Sequence, residues 1–106
     1  MKTVYVAGKL NAMAVDYIKN MNNMIWCANT IKSKGYAVYI PCLDFLTGLV
    51  IGYYDYEDYA DNNMAWLEKA DLVYVMAFSE DSIGTQKEKQ RASELGIPII
   101  TRMEQL

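Results

Sequence analysis

The chain has 106 residues, 53% of them hydrophobic and 22% charged, enough for one packed core and too few for two. Its formal charge is −3 and its pI about 4.8, with no basic stripe, which argues against a nucleic acid polymer as partner. It has no histidine and only two cysteines, Cys27 and Cys42, which removes Ser-His-Asp and Cys-His catalysis and leaves no ligand set for a structural zinc, so carboxylates, Tyr, Lys or Cys must carry any chemistry.

The start, MKTVYVAG, passes from one Lys straight into a strand pattern, Thr3 to Ala7, with neither the apolar core nor the cleavage site of a signal peptide. From Val15 to Lys34 the apolar residues Ile18, Met21, Ile25, Ala28 and Ile31 recur at three- and four-residue spacing, and Gly35 follows as a stop. This predicts a long amphipathic helix. Ala37 to Ile40 reads as a second strand, halted by Pro41. The segment from there to Tyr54 is open between loop, short helix and irregular crossover. Its mostly apolar part, Leu43 to Tyr54, is interrupted by Asp44, Thr47, Gly48 and Gly52 and is too short to span a bilayer. A cytoplasmic protein without a membrane partner is expected.

Glu57 to Lys69 reads as helix with Met64, Leu67 and Ala70 on one side, and leads into a strand from Leu72 to Phe78. The turn SEDSIG, a helix from about Thr85 to Leu95, the stop Gly96 and a last strand, Ile97 to Thr101, complete the chain. Strands alternating with helices imply an α/β fold: a single Rossmann/flavodoxin-like three-layer domain with a four- or five-stranded, mostly parallel sheet. Ligands gather at the carboxyl ends of such strands. Three loops should therefore converge there: Gly8 to Asn11, the region after Pro41, and Ser79 to Gly84.

The first of these loops, AGKLNA, lacks both the dinucleotide-binding and the P-loop glycine patterns, so no cofactor is expected. It sets Tyr5, Gly8, Lys9 and Asn11 near the ligand edge, or it is a plain turn. The run YYDYEDYADNN, Tyr53 to Asn63, mixes four tyrosines with Asp55, Glu57, Asp58 and Asp61. Its rings could sandwich a base; its acids equally suit the start of a solvated helix. The stretch SIGTQKE, Ser82 to Glu88, also reads two ways. Thr85 and Glu88 fit a capping box, while a helix N-terminus with the Ser82 and Thr85 hydroxyls can hold a phosphate. The same positive end would favour Glu88 as an anion, and a carboxylate in that first turn could attack the anomeric carbon of a ribose.

YVAGKL near the start, the long first helix ending at KSKGYAV, and DNNMAWLEKADLVYVMAFSEDSIGTQKEKQRASELGIPII together resemble the nucleoside 2-deoxyribosyltransferase superfamily. The likeness is greatest to its short members, the deoxynucleoside 5′-monophosphate N-glycosidases and small uncharacterised phage and bacterial relatives. It covers nearly the full length and is strongest from Asn62 to Ile100.

The resemblance implies that Glu88 is a nucleophile forming a glycosyl-enzyme ester, that Ser82 and Gly84 lie in the turn holding a 5′-phosphate, and that Tyr5 and Gly8 line the sugar and base pocket. It also implies an aspartate eight residues ahead of Asp71 to help protonate the departing base. That position is Asn63, and an amide cannot act as a general acid. Asp58 and Asp61 are nearby substitutes, although on a helix Asp61 would point about 160° away. Lys9 and Lys87 stand where the family more often has small or apolar residues. The sequence stops soon after the last strand, without the C-terminal extension by which the larger transferases complete a neighbour's pocket, so a full base-exchange enzyme is not expected.

Three readings follow. One is an enzyme cleaving or transferring the N-glycosidic bond of a nucleoside or nucleotide. Another is a catalytically weakened protein, phage-encoded in kind, that sequesters a nucleotide or ADP-ribose-like signal. The third is a structural domain in which Glu88 only caps a helix, so that Glu88→Ala would lower stability by roughly 1 kcal/mol and alter no binding. A homodimer or larger homo-oligomer is expected, through Met21, Met24, Ile25 and Trp26 of the first helix.

Overall fold

The computed structural model describes residues 1–106. Four strands, β1 (Thr3–Ala7), β2 (Ala37–Tyr39), β3 (Leu72–Val75) and β4 (Ile99–Ile100), form one parallel sheet in the order β2-β1-β3-β4. This is the flavodoxin order with four strands, as the alternation of strand and helix patterns predicts. The helices are α1 (Ala14–Ser33), α2 (Asp44–Ile51), α3 (Tyr56–Leu67) and α4 (Ile83–Glu94).

Successive strand residues face opposite sides of a sheet, and here both sides are covered, which is why TVYVA is apolar throughout. On one side Val4, Val6 and Tyr74 pack with Met24, Ala28 and Ile31 of α1 and with Cys42. On the other side Tyr5, Ala7, Val73 and Val75 meet Leu67 of α3 and Ala92 of α4. The buried stripe of α1 therefore runs through Met24, Ala28 and Ile31, whereas Ile18 and Ile25, which the spacing would put inside, are exposed. Of the first-helix residues expected at an oligomer interface, Met24 is in the core and Met21 packs against it; Ile25 and Trp26 face solvent.

The ambiguous stretch after Pro41 is a 3-10 turn, Pro41–Leu43, running into α2. No residue of α2 is buried: Phe45, Leu46, Leu49, Val50 and Ile51 are all exposed. That apolar excess made its environment illegible from periodicity, since a buried helix and an uncovered apolar one look alike. The contacts that seat α2 include Tyr17 against Phe45, with ring centroids 5.6 Å apart, and the Tyr59 ring, which occupies the space a side chain at Gly48 would need.

The helix stops fall where expected, Gly35 and Gly96 taking φ of +99° and +70°, a region open to glycine at little strain. The start of α4 does not. It opens at Ile83, three residues earlier than a capping box at Thr85–Glu88 would place it, and its cap is Ser82. At α3 the acidic residues do cap: Asp55 Oδ1 accepts from the Asp58 N–H at 3.0 Å, and Asp58 Oδ2 accepts from the Asp55 N–H at 2.9 Å.

Candidate active site

The chain passes from β1 through α1 to β2 on one side of β1, while β3 lies on its other side. The crevice beyond the carboxyl ends of β1 and β3 is thus a topological switch point, the usual ligand position in such sheets. The Met76 N–H donates to Ala7 O at 2.8 Å, and the Lys9 N–H donates to Ser79 Oγ at 3.0 Å, holding the two loops side by side. Above them opens a cleft of about 1140 Å³, at the upper end of small-molecule sites. Its walls include Gly8, Lys9 and Asn11 from the first loop, Pro41 and Phe45 beyond β2, Asn63 from α3, and Ser82, Gly84, Thr85 and Glu88 from the start of α4. The three loops predicted to converge do so.

Glu88 is the sixth residue of α4, in its second turn, not its first. From there its side chain turns inward to the sheet, where the hydroxyl of fully buried Tyr5 donates to Glu88 Oε2. Tyr5 lies behind the carboxylate rather than on the cleft wall. Burial pushes the Glu88 carboxyl up to about 7, and the Tyr5 hydrogen bond offsets only part of that. Burial, followed by the charge of Glu88, moves the Tyr5 phenol far above its ordinary range, so it remains a donor. The expectation that the helix end holds Glu88 as an anion is corrected: the dipole acts over the first turn, and Glu88 lies beyond it.

The capping box is corrected too. Ser82 Oγ accepts from the Thr85 N–H at 3.2 Å and from the Thr85 hydroxyl at 3.0 Å. Thr85 is buried, and its hydroxyl serves this cap rather than standing free for a ligand. The N–H groups of Ile83 and Gly84 have no protein partner and Ser82 keeps its own proton, so a small donor set remains at the helix start. Across it, the Tyr56 hydroxyl stands 3.4 Å from where a side-chain carbon at Gly84 would be. Lys9 is at the lip, its ammonium 2.6 Å from Asp81 Oδ2, so much of its charge is already matched. Lys87 lines the cleft as well.

Asn63 is held by a residue the sequence reading did not single out. Tyr39 pairs with Tyr5 in the β1–β2 register, and the two rings stack with centroids 5.4 Å apart and planes 11° off parallel. Trp66 stacks on the far face of Tyr39, at 5.8 Å. The Tyr39 hydroxyl donates to Asn63 Oδ1 at 2.9 Å. Two in-register tyrosines on one face of the sheet therefore orient two polar groups of the cleft, Glu88 and Asn63, one each. The signal was available in the parallel placement of Tyr5 and Tyr39, but it needed the register to be read. Of the acids near Asn63, Asp61 is exposed away from the cleft and Asp58 is engaged in the α3 cap. Asp55 does line the cleft, beside Tyr54, Tyr56 and Tyr59, so the tyrosine-rich run supplies both the helix cap and an aromatic wall.

No helix is long and apolar enough to cross a membrane. No curated protein matches the sequence. Among solved structures, the fold is similar to that of the 2-deoxyribosyltransferase from the psychrotolerant bacterium Bacillus psychrosaccharolyticus, with a TM-score of 0.71 and 17% identity over 92% of this chain and 69% of that one. At this identity the likeness concerns the fold. The family described as a domain of unknown function, DUF4406, matches residues 2–101, and the chain belongs to that family.

Proposed function

We propose that this protein binds a nucleoside or nucleotide in the cleft and cleaves or transfers its N-glycosidic bond, with Glu88 as the nucleophile. The observation that carries this reading is the half-buried Glu88 carboxylate at the switch point, oriented by Tyr5, in a fold similar to that of a 2-deoxyribosyltransferase. The ionised Glu88 would attack the anomeric carbon as the C1′–N bond breaks. The bonding pair leaves with the base, which takes up a proton, and water or a second base then releases the sugar from the glutamyl ester. Tyr5 holds the carboxylate in line, and the donors at Ser82, Ile83 and Gly84 suit a phosphate on the sugar.

A second reading is favoured by Asn63. With an amide at that position and no free acid beside it, protonation of the leaving base loses its obvious donor, which fits a protein that retains its ligand, a nucleotide or ADP-ribose-like molecule, without turning it over.

One experiment separates the two. A panel of nucleosides, nucleoside monophosphates and nicotinamide dinucleotide is assayed for free base with wild type and Glu88→Gln, alongside mass spectrometry of small molecules carried by the purified protein. Base released by wild type alone supports the enzyme. An unhydrolysed nucleotide that copurifies supports the binder, and an empty cleft with no nucleotide binding would sink both.

A further inference from the structure

The hydrogen bonds behind Asn63 have a direction, fixed at their far end by a carboxylate. Asp44, the first residue of α2, can only accept when ionised, so Asn62 must turn its amide nitrogen toward it; Asn62 Nδ2 donates to Asp44 Oδ2 at 3.4 Å. The same nitrogen donates its second proton to the Tyr39 hydroxyl oxygen at 3.1 Å. That bond uses the Tyr39 oxygen as an acceptor, and the phenolic proton is donated to Asn63 Oδ1. Asn63 must then face the cleft with its NH₂ group, because its oxygen is already engaged.

Resting on the nucleotide reading above, we propose that Asn63 is locked as a donor by the chain Asp44–Asn62–Tyr39, and that it selects a purine through an unprotonated acceptor, a ring nitrogen, on the base edge. The roomy cleft and its wall of Tyr54, Tyr56 and Tyr59 suit the larger base class and its stacking. A half-buried NH₂ that meets C–H instead of a lone pair loses its partner, and the ligand is disfavoured by about tenfold. Tyr39 and Asp44 are positioning residues: neither lines the cleft, yet both determine which end of the Asn63 amide faces it.

The test uses calorimetric titration of the full chain with deoxyadenosine and deoxyguanosine 5′-monophosphates and with their 3-deaza and 7-deaza analogues, in which one ring nitrogen becomes C–H. Wild type should bind a parent nucleotide and lose about tenfold for one of its two analogues. Tyr39→Phe keeps the ring between Tyr5 and Trp66 but breaks the chain. Asp44→Asn removes the group that sets its direction. In both variants the parent-to-analogue ratio should fall to about threefold or less, while a purely structural role would weaken parent and analogue alike and leave the ratio unchanged. If a parent binds and neither analogue is discriminated, or the ratio survives in both variants, the inference is overturned and nucleotide binding stands. If neither purine nucleotide binds, the inference falls whatever the base-release panel shows.

Discussion

Replacing Glu88 by Gln should make this protein more stable above neutral pH while removing whatever chemistry the carboxylate performs. In the folded chain the Glu88 carboxyl sits at about 7 against an ordinary 4.5, because burial disfavours its charge. A carboxyl raised on folding binds its proton more tightly in the native state, so its contribution is fully present below about pH 4.5 and is lost as pH rises through about 7. At roughly 1.4 kcal/mol per unit, ionising Glu88 in place costs about 3 kcal/mol at pH 8, an upper figure because the side chain keeps part of its exposure to the cleft. Gln is neutral at every pH and can still accept the Tyr5 hydroxyl through its amide oxygen. Urea unfolding at pH 5 and pH 8 measures the effect. Wild type should lose up to about 2.5 kcal/mol relative to Glu88→Gln between the two, part of the contribution being already lost at pH 5, and equal pH dependence of the two proteins would refute the argument. The ordinary cost of turning the site off is thus reversed, as expected where a functional group is held against its solvation preference.

Three further outcomes are expected. Asn63→Asp should raise base release by about a hundredfold or more, with one carboxylate oxygen still accepting from Tyr39 and the other facing the cleft; high-performance chromatography of free base checks it, and an unchanged rate would remove Asn63 as the reason for weak turnover. Ser82→Ala should destabilise the fold by about 1 to 2 kcal/mol in urea titrations, since Thr85 is buried and loses the acceptor for both its N–H and its hydroxyl. Light scattering at micromolar concentration should give a homodimer or larger assembly, because Leu46, Leu49 and Val50 of α2 together with Trp26 of α1 leave much apolar surface uncovered. Leu49→Glu should shift it toward monomer, and a wild-type monomer would contradict the expectation.

What could be read from the sequence, and what could not, divides along a physical line. Strands buried on both faces and a helix ended by glycine are determined by short-range pattern, so β1, β3 and the bounds of α1 were legible to within a few residues. The sheet edge where the three loops meet followed from the alternation alone, whereas Asn63 and Glu88 were assigned to it by the SIGTQKE pattern and the family resemblance; Gly8, Lys9, Asn63, Ser82 and Glu88 all line one cleft. What failed was anything settled by competition between neighbouring groups. Thr85 and Ser82 are both good caps, and only the packed helix shows that Ser82 takes the role and Thr85 is buried as its donor. That difference of three residues moves Glu88 from the first turn to the second. There the helix end no longer supports its charge, and Tyr5 and burial govern it instead. The Ser82–Glu88 stretch thus contains a cap and a candidate nucleophile as separate residues. The cap at Ser82 fixes where α4 begins, and six residues later that start brings the Glu88 side chain round to the Tyr5 hydroxyl on the sheet.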